Sequence, residues 1–429
     1  MNRRYKFIFA LLMVVLLLSG CMKTVDQMYR LPKRSQEFTE LQQAIDEVME
    51  EMSFSAPESG DHRQAVQMAD LNADGTEEYL VFAEGDTESP LRVLIFALQE
   101  DGYILAQSIT CSGISFDMVE YAHMDAQAGV ELVIGSQLSQ NLQCNVEVYT
   151  FSETLQPEQM LSGSYADCLI VDMDEDGYSE LVLLRGAGAE ADNGAVQLYS
   201  ARSGTMTSSN ESVLSGPVHN LRRVTYGNIE GNVPAVYAAT SVDDGSLITD
   251  VYILKSGNLC NITLSSEYGT SIRTLRNDYL YAADMDNDGV MELPYLLPMM
   301  PMDHMVSSGK QELIRWYAMT SDGEEVAKVY TFHNFADGWY LKLDPAWAQR
   351  LTVVENSTGY DFHIWDENFE SSWKVFTIRD SGEKISEENP QQILLYESTD
   401  SVLTAQLTAA ASSFEITPDT LPDLFHRIH

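Results

Sequence analysis

Three nine-residue stretches in this chain follow one pattern, and that pattern narrows the fold more than anything else in the sequence. They are Asp70-Leu71-Asn72-Ala73-Asp74-Gly75-Thr76-Glu77-Glu78, Asp172-Met173-Asp174-Glu175-Asp176-Gly177-Tyr178-Ser179-Glu180 and Asp284-Met285-Asp286-Asn287-Asp288-Gly289-Val290-Met291-Glu292. Each carries oxygen-bearing side chains at positions 1, 3, 5 and 9 and a glycine at position 6, and each runs into an apolar segment. Two weaker copies fill the gaps, His123 to Glu131 and Gly227 to Asn232. The copies start at residues 70, 123, 172, 227 and 284, a period of 49 to 57 residues. Self-similarity at such a period marks a repeat architecture.

A second signal keeps the same register. After each motif comes a β-type run: Val93 to Phe96, Val146 to Tyr149, Val196 to Tyr199, Val251 to Leu254 and Leu313 to Tyr317. Turn pairs follow most of them, at Asp101-Gly102, Ser203-Gly204, Ser256-Gly257 and Asp322-Gly323. One unit therefore reads strand, acidic loop, strand, loop, strand, turn, strand. A four-stranded unit repeated every ~50 residues is the signature of a β-propeller blade. The fold class expected is mainly β: a propeller of about five four-stranded blades over residues 62–334, with an N-terminal helix and a small C-terminal α+β module.

The loop chemistry points to a hard cation. Calcium takes about six to eight oxygen ligands, and alternate residues of an acidic turn bring their carboxylates to one side. The ligands expected are Asp70, Asn72, Asp74 and Glu78; Asp172, Asp174, Asp176 and Glu180; and Asp284, Asp286, Asp288 and Glu292. The backbone carbonyl at position 7 (Thr76, Tyr178 or Val290) can add another. These loops are not EF-hands, which need a bidentate Glu at position 12; Val81, Leu183 and Tyr295 stand there. The copies at His123–Glu131 and Gly227–Asn232 keep too few carboxylates to hold an ion. The three intact motifs resemble the FG-GAP/VCBS repeats, the calcium-binding blades of integrin α-chain heads and of many bacterial surface proteins. The resemblance implies calcium as the cofactor, and an acid at position 9 that closes the cage.

The N-terminus has its own signature. Arg3, Arg4 and Lys6 precede a twelve-residue apolar run over 7–18. That run is too short to span a bilayer, which takes about 20 residues, and fits the apolar region of a secretory signal. It ends Leu18-Ser19-Gly20-Cys21, which resembles the lipobox of bacterial lipoproteins. The resemblance implies removal of residues 1–20, a diacylglycerol (palmitate-type) anchor on Cys21, and a place on the extracytoplasmic face of the cell membrane. Losing the leader removes three basic residues and no acid, so the net charge moves from −40 to −43. Such a charge argues against nucleic acid as a partner and suits carboxylate-bound calcium. Cys111, Cys144, Cys168 and Cys260 match no metal-ligand spacing, and no bridges are expected among them.

Residues 21–61 read as a lipidated tether followed by an amphipathic helix, with Phe38, Leu41, Ile45, Val48, Met49 and Met52 three or four apart. Residues 335–429 read as a separate module, opening at Gly338-Trp339-Tyr340-Leu341, with strands at 351–354, 373–378, 393–396 and 402–407. A last helix is expected after Thr417-Pro418-Asp419. This part resembles a small α+β module found at the ends of exported bacterial lipoproteins. The segment Met299-Met300-Pro301-Met302-Asp303-His304-Met305 has soft-ligand chemistry suited to Cu(I), although adaptable packing methionines explain it as well. His333 and His363, in aromatic-rich strands, read as structural. The nucleophile-elbow, zincin, P-loop and dinucleotide motifs do not occur. The function expected is a non-enzymatic binding or scaffold protein for an extracellular glycan or protein. The alternative is an enzyme acting on extracellular polysaccharide, which a deep pocket with converging acids would favour.

Overall fold

The computed structural model describes residues 36–87, 90–100, 102–139, 144–186, 193–201, 205–242, 245–302, 312–380, 392–399 and 401–428. The leader, Cys21, the tether, Asp101, Ser203, Gly204, Asp303, His304 and Met305 lie outside them. The fold is mainly β, in six antiparallel sheets that follow one another along the chain.

The first sheet holds Val66–Ala69, Glu78–Gly85, Leu91–Gln99 and Gly102–Thr110, with Met52–Phe54 added beside Glu78–Gly85. The second holds Ser115–Ala122, Glu131–Gln137, Cys144–Phe151 and Pro157–Tyr165. The third holds Asp167–Val171, Glu180–Gly186, Gly194–Ser200 and Thr207–Ser208, with Ser212–Val213. The fourth holds Leu221–Ile229, Val233–Ser241, Leu247–Lys255 and Asn258–Asn261. In each, the first strand enters the repeated loop and the second strand leaves it. In the fifth sheet the first strand shrinks to a bridge between Ala283 and Glu292, followed by Leu293–Pro298, Glu312–Met319, Glu325–Asn334 and Trp339–Leu343.

Successive sheets share cores because side chains alternate across a strand. Along the second strand of each sheet the two faces bury different partners. Leu132 and Ile134 pack on the first sheet, whereas Val133 packs on the third. Leu181 and Leu183 face the second sheet, Val182 and Leu184 the fourth. Val236 and Ala238 face the third, Ala235 and Tyr237 the fifth. Strands buried on both faces read as continuous apolar runs, which is how these segments appear in the sequence. Burying each such side chain contributes roughly 1.5–3 kcal/mol. Among the described residues the core clusters that join two sheets join sheets adjacent in the chain, and none joins the first sheet to the fifth or sixth. The helix Gln36–Val48 lays Leu41 and Ile45 onto Val81, Ala83, Leu94 and Phe96 of the first sheet.

The fifth sheet continues past residue 334, where a boundary is expected. Trp339–Leu343 pairs with Glu325–Asn334 as the fourth strand of the fifth sheet, and Phe425–Arg427 joins its far edge. The reason is period-2 alternation: Trp339, Leu341 and Leu343 fill one core with Phe362, Phe376 and Ile378 of the sixth sheet. That sheet holds Leu351–Asn356, Gly359–Trp365, Ser372–Asp380, Gln392–Glu397 and Val402–Leu407. The last helix is Leu421–Leu424, with Thr420 as its N-cap rather than Thr417. Thr417 instead exchanges hydrogen bonds with Thr420, its hydroxyl accepting the Thr420 N–H at 3.1 Å.

Candidate metal centre

The three intact loops share one hydrogen-bond frame, set by the side chain at position 1. Its Oδ2 accepts the glycine N–H at position 6, at 3.0 Å in all three (Gly75 to Asp70, Gly177 to Asp172, Gly289 to Asp284). Its Oδ1 accepts the N–H at position 5, at 3.1–3.2 Å. The position-5 carboxylates of Asp74, Asp176 and Asp288 accept the N–H at position 7, at 2.8, 3.0 and 2.9 Å. The glycine sits at φ +88°, +93° and +88°, a conformation that L side chains rarely adopt.

The position-9 glutamates are buried, at 2%, 1% and 0% exposure for Glu78, Glu180 and Glu292. The Oε2 of each accepts the N–H of position 2 at 3.0, 2.8 and 2.8 Å. Glu131 of the degenerate second copy does the same toward Met124, at 2.8 Å. A glutamate that makes this bond where acids are absent from positions 1 and 5 (His123 and Gln127) closes the loop as a structural brace.

The structure brings some expected ligands together and leaves others apart. Among the described residues, carboxylate oxygens all within 4.8 Å of one another occur for Asp284, Asp286, Asp288 and Glu292, and for Asp172, Asp174 and Asp176. Glu180 stays outside the second group. In the first loop Asn72 donates its amide to Asp74 at 3.2 Å and to the Glu153 carbonyl at 3.1 Å, so Asp70, Asn72, Asp74 and Glu78 form a partly self-satisfied turn.

Charge is the unsettled part of these sites. Burial, with the neighbouring carboxylates Asp176 and Asp172, pushes Glu180 up to about 7. Burial and the three loop aspartates do the same to Glu292. Burial and the Asp288 charge raise Asp286, while the Val290 N–H and Lys328 hold Asp288 below its ordinary value. In the fifth-sheet loop, Glu292 Oε1 is buried with no hydrogen-bond partner. A hard divalent cation fits this donor set: it supplies positive charge beyond the one ammonium, Lys328, that reaches Asp288, and a partner for that oxygen.

The loops lie side by side along one edge of the stack. A Cβ on Gly129 would stand 2.2 Å from the Leu71 carbonyl. Ser179 N–H donates to the His123 carbonyl at 2.7 Å, Tyr226 Oη to the Asp172 carbonyl at 3.0 Å, and Met291 N–H to the Asn228 carbonyl at 2.8 Å. Each loop thus braces the neighbouring sheet. Sequence reasoning missed one residue here, Lys328, whose Nζ lies 2.8 Å from Glu230 and 3.1 Å from Asp288.

A cleft of about 820 Å³ opens beside the third-sheet loop, between the first strands of the second and third sheets. Asp61, Asp117, Glu120 and Asp167 line it, with Gly177 and Ser179 of the loop at its border. Tyr165 Oη donates a short hydrogen bond to Asp117 Oδ2. Burial, reinforced by the Asp117 charge, pushes Asp167 up to about 6. No local motif announces these acids, because they come from separate strands. Met118 Sδ and Cys168 Sγ meet at 3.4 Å in its wall, and all four described cysteines are free thiols. In the described part of the methionine segment, Met299 lies against the core of the fifth and sixth sheets, whereas Met300 is exposed.

No family model matches the chain, and no curated protein matches it. Among solved structures, Sqt1 of Chaetomium thermophilum aligns over 84% of this chain and 99% of its own, at 11% identity and a TM-score of 0.32. The rhamnogalacturonan lyase YesW aligns over 79% and 81%, at 12% identity and a TM-score of 0.30. A putative 6-phosphogluconolactonase of Bacteroides fragilis aligns over 76% and 95%, at 10% identity and a TM-score of 0.26. Likenesses at this level carry neither a fold assignment nor a function to this chain.

Proposed function

We propose that this is a lipid-anchored surface protein whose stacked sheets form an FG-GAP/VCBS-type propeller. In this reading calcium stabilises it, and it serves as a non-enzymatic binding or scaffold module for an envelope or extracellular partner. The observation that supports this best is the fifth-sheet loop, where four carboxylates converge within 4.8 Å and Glu292 Oε1 has no protein partner. Asp284, Asp286, Asp288 and Glu292 would hold the ion there, and Asp172, Asp174 and Asp176 would hold another. Because each loop braces the next sheet, an ion in it would stiffen the seam between neighbours and keep the surface in one shape for a partner. Cys21 would tether this surface to the membrane, and the net charge of −40 keeps it away from nucleic acid. Calcium titration of the chelator-treated full chain by calorimetry tests the reading. Two sites at least are expected, weaker for magnesium, whose small octahedral shell fits crowded carboxylates poorly. Heats indistinguishable from buffer dilution up to 10 mM (about ten times the weakest affinity usual for extracellular modules) would sink it.

A second reading rests on the cleft. Asp117, held by Tyr165, beside Asp167, kept protonated to about pH 6 by burial, resembles the acid and base division of a polysaccharide-active enzyme. Release of reducing ends from an extracellular polysaccharide, abolished in both Asp117→Asn and Asp167→Asn, would favour this reading over the first.

A further inference from the structure

The fifth-sheet loop already has a cation at its rim. Lys328, on the strand Glu325–Asn334, reaches Asp288 Oδ2 at 3.1 Å while its other contact, Glu230 Oε2, lies at 2.8 Å. Glu230 belongs to the degenerate fourth copy, which has lost the other acids of the motif. Its only remaining carboxylate therefore faces the ammonium of the next sheet. Lys328 is 18% exposed, so its charge is poorly screened by water compared with a free surface lysine. It also draws on Asp286, whose carboxyl feels its charge.

We infer that Lys328 is a resident counter-cation of the fifth-sheet loop, which competes with a divalent ion for Asp288 and withdraws onto Glu230 when the ion binds. The inference rests on the calcium reading above. Asp288 Oδ1 is occupied by the Val290 N–H, so Oδ2 is the oxygen that the ammonium holds and that an incoming ion would have to share. A metal ion and an ammonium cannot both sit against one oxygen without repulsion. Glu230 offers the displaced ammonium a carboxylate it already touches, so the exchange needs no large movement.

The test isolates the fifth-sheet loop in the full chain by placing Asp70→Asn, Asp74→Asn, Asp172→Asn and Asp176→Asn in one background. Calcium affinity is then read by calorimetry for Lys328→Met, Lys328→Arg and Glu230→Gln, with circular dichroism to check folding. Lys328→Met should bind about threefold tighter or more, the scale set by exposed and half-exposed ion pairs. Lys328→Arg should stay near the parent, and Glu230→Gln should bind more weakly because the ammonium loses its second carboxylate. Lys328→Gln serves as a second neutral variant if Lys328→Met does not fold. Equal affinity in the parent and in the folded neutral variant overturns the role of Lys328 and leaves the calcium reading standing. Absence of calcium binding in the parent and the neutral variant alike overturns both.

Discussion

Replacing Asp286 by Asn separates a metal site from a solvated acidic turn. The substitution keeps the shape and keeps an oxygen to accept the Asp288 N–H, now at 3.2 Å from Asp286 Oδ1. It removes one of four charges that lie within 4.8 Å. A ligand that binds only the folded chain stabilises it by RT ln(1 + [L]/Kd). With affinities of about 10⁻⁴–10⁻³ M, usual for extracellular calcium modules, 1 mM calcium is worth roughly 0.4–1.4 kcal/mol per site. Two sites together then shift the melting temperature by a few degrees, at about 2–4 °C per kcal/mol in domains of 150–250 residues. In calcium, Asp286→Asn should lose one site's share. In chelator it should melt at or above the parent, because Asp284 and Asp288 no longer repel a third charge between them. The measurement is a set of four melting curves by scanning calorimetry or circular dichroism. A loss of the same size with and without calcium would mean that the substitution damages the fold and removes no ligand. A parent curve indifferent to chelator and calcium would refute the site altogether.

Gly135→Ala should destabilise by about 1–3 kcal/mol through overpacking, because the new Cβ would lie 2.2 Å from Tyr165 Oη and 2.6 Å from Met118 Cγ; the loss should shrink in a Tyr165→Phe background, read by urea denaturation as a double-mutant cycle. His333 is stacked on Tyr340 at 4.8 Å with both ring nitrogens buried and unpaired, and burial lowers its pKa to about 4. The unfolded chain then takes up a proton near pH 6.5 that the folded one refuses, so this contribution is present above pH 6.5 and lost as pH falls toward 4. At about 1.4 kcal/mol per unit the loss reaches roughly 3–4 kcal/mol, and His333→Phe should flatten that part of a stability-against-pH curve. Cys21→Ala should move the protein out of the membrane fraction, since the apolar run over 7–18 is too short to hold it as a span; persistence in membranes at high salt would count against lipidation.

What the sequence shows and what it hides divide along the range of the interactions. The loop frame is local: a position-1 aspartate accepting from positions 5 and 6 needs only spacing and a glycine, so nine residues suffice to read it. The order of the main strands within the first four sheets follows for the same reason, since each pairs with the next along the chain, while Met52–Phe54 and Ser212–Val213 join Glu78–Gly85 and Gly194–Ser200 out of turn. Lys328 and Asp288 are 40 residues apart, and Asp117 and Asp167 line one cleft only because two sheets stack, so no window of sequence contains either site. The pairing of Trp339–Leu343 with the fifth sheet is hidden from the sequence because its apolar face packs into a core that the fifth and sixth sheets share. The role of position 9 is the instructive case. Ligand chemistry alone makes Glu78, Glu180 and Glu292 cage-closing groups, yet Glu131 makes the same backbone bond where His123 has replaced the first aspartate, and where His123 Nδ1 contacts the Gly129 carbonyl at 3.0 Å. The turn therefore closes without a full set of acids, on hydrogen bonds that the chain supplies itself. It follows that an ion in the intact copies adds to a loop already folded, which is why chelation should cost the protein a few degrees of melting temperature and leave its sheets in place.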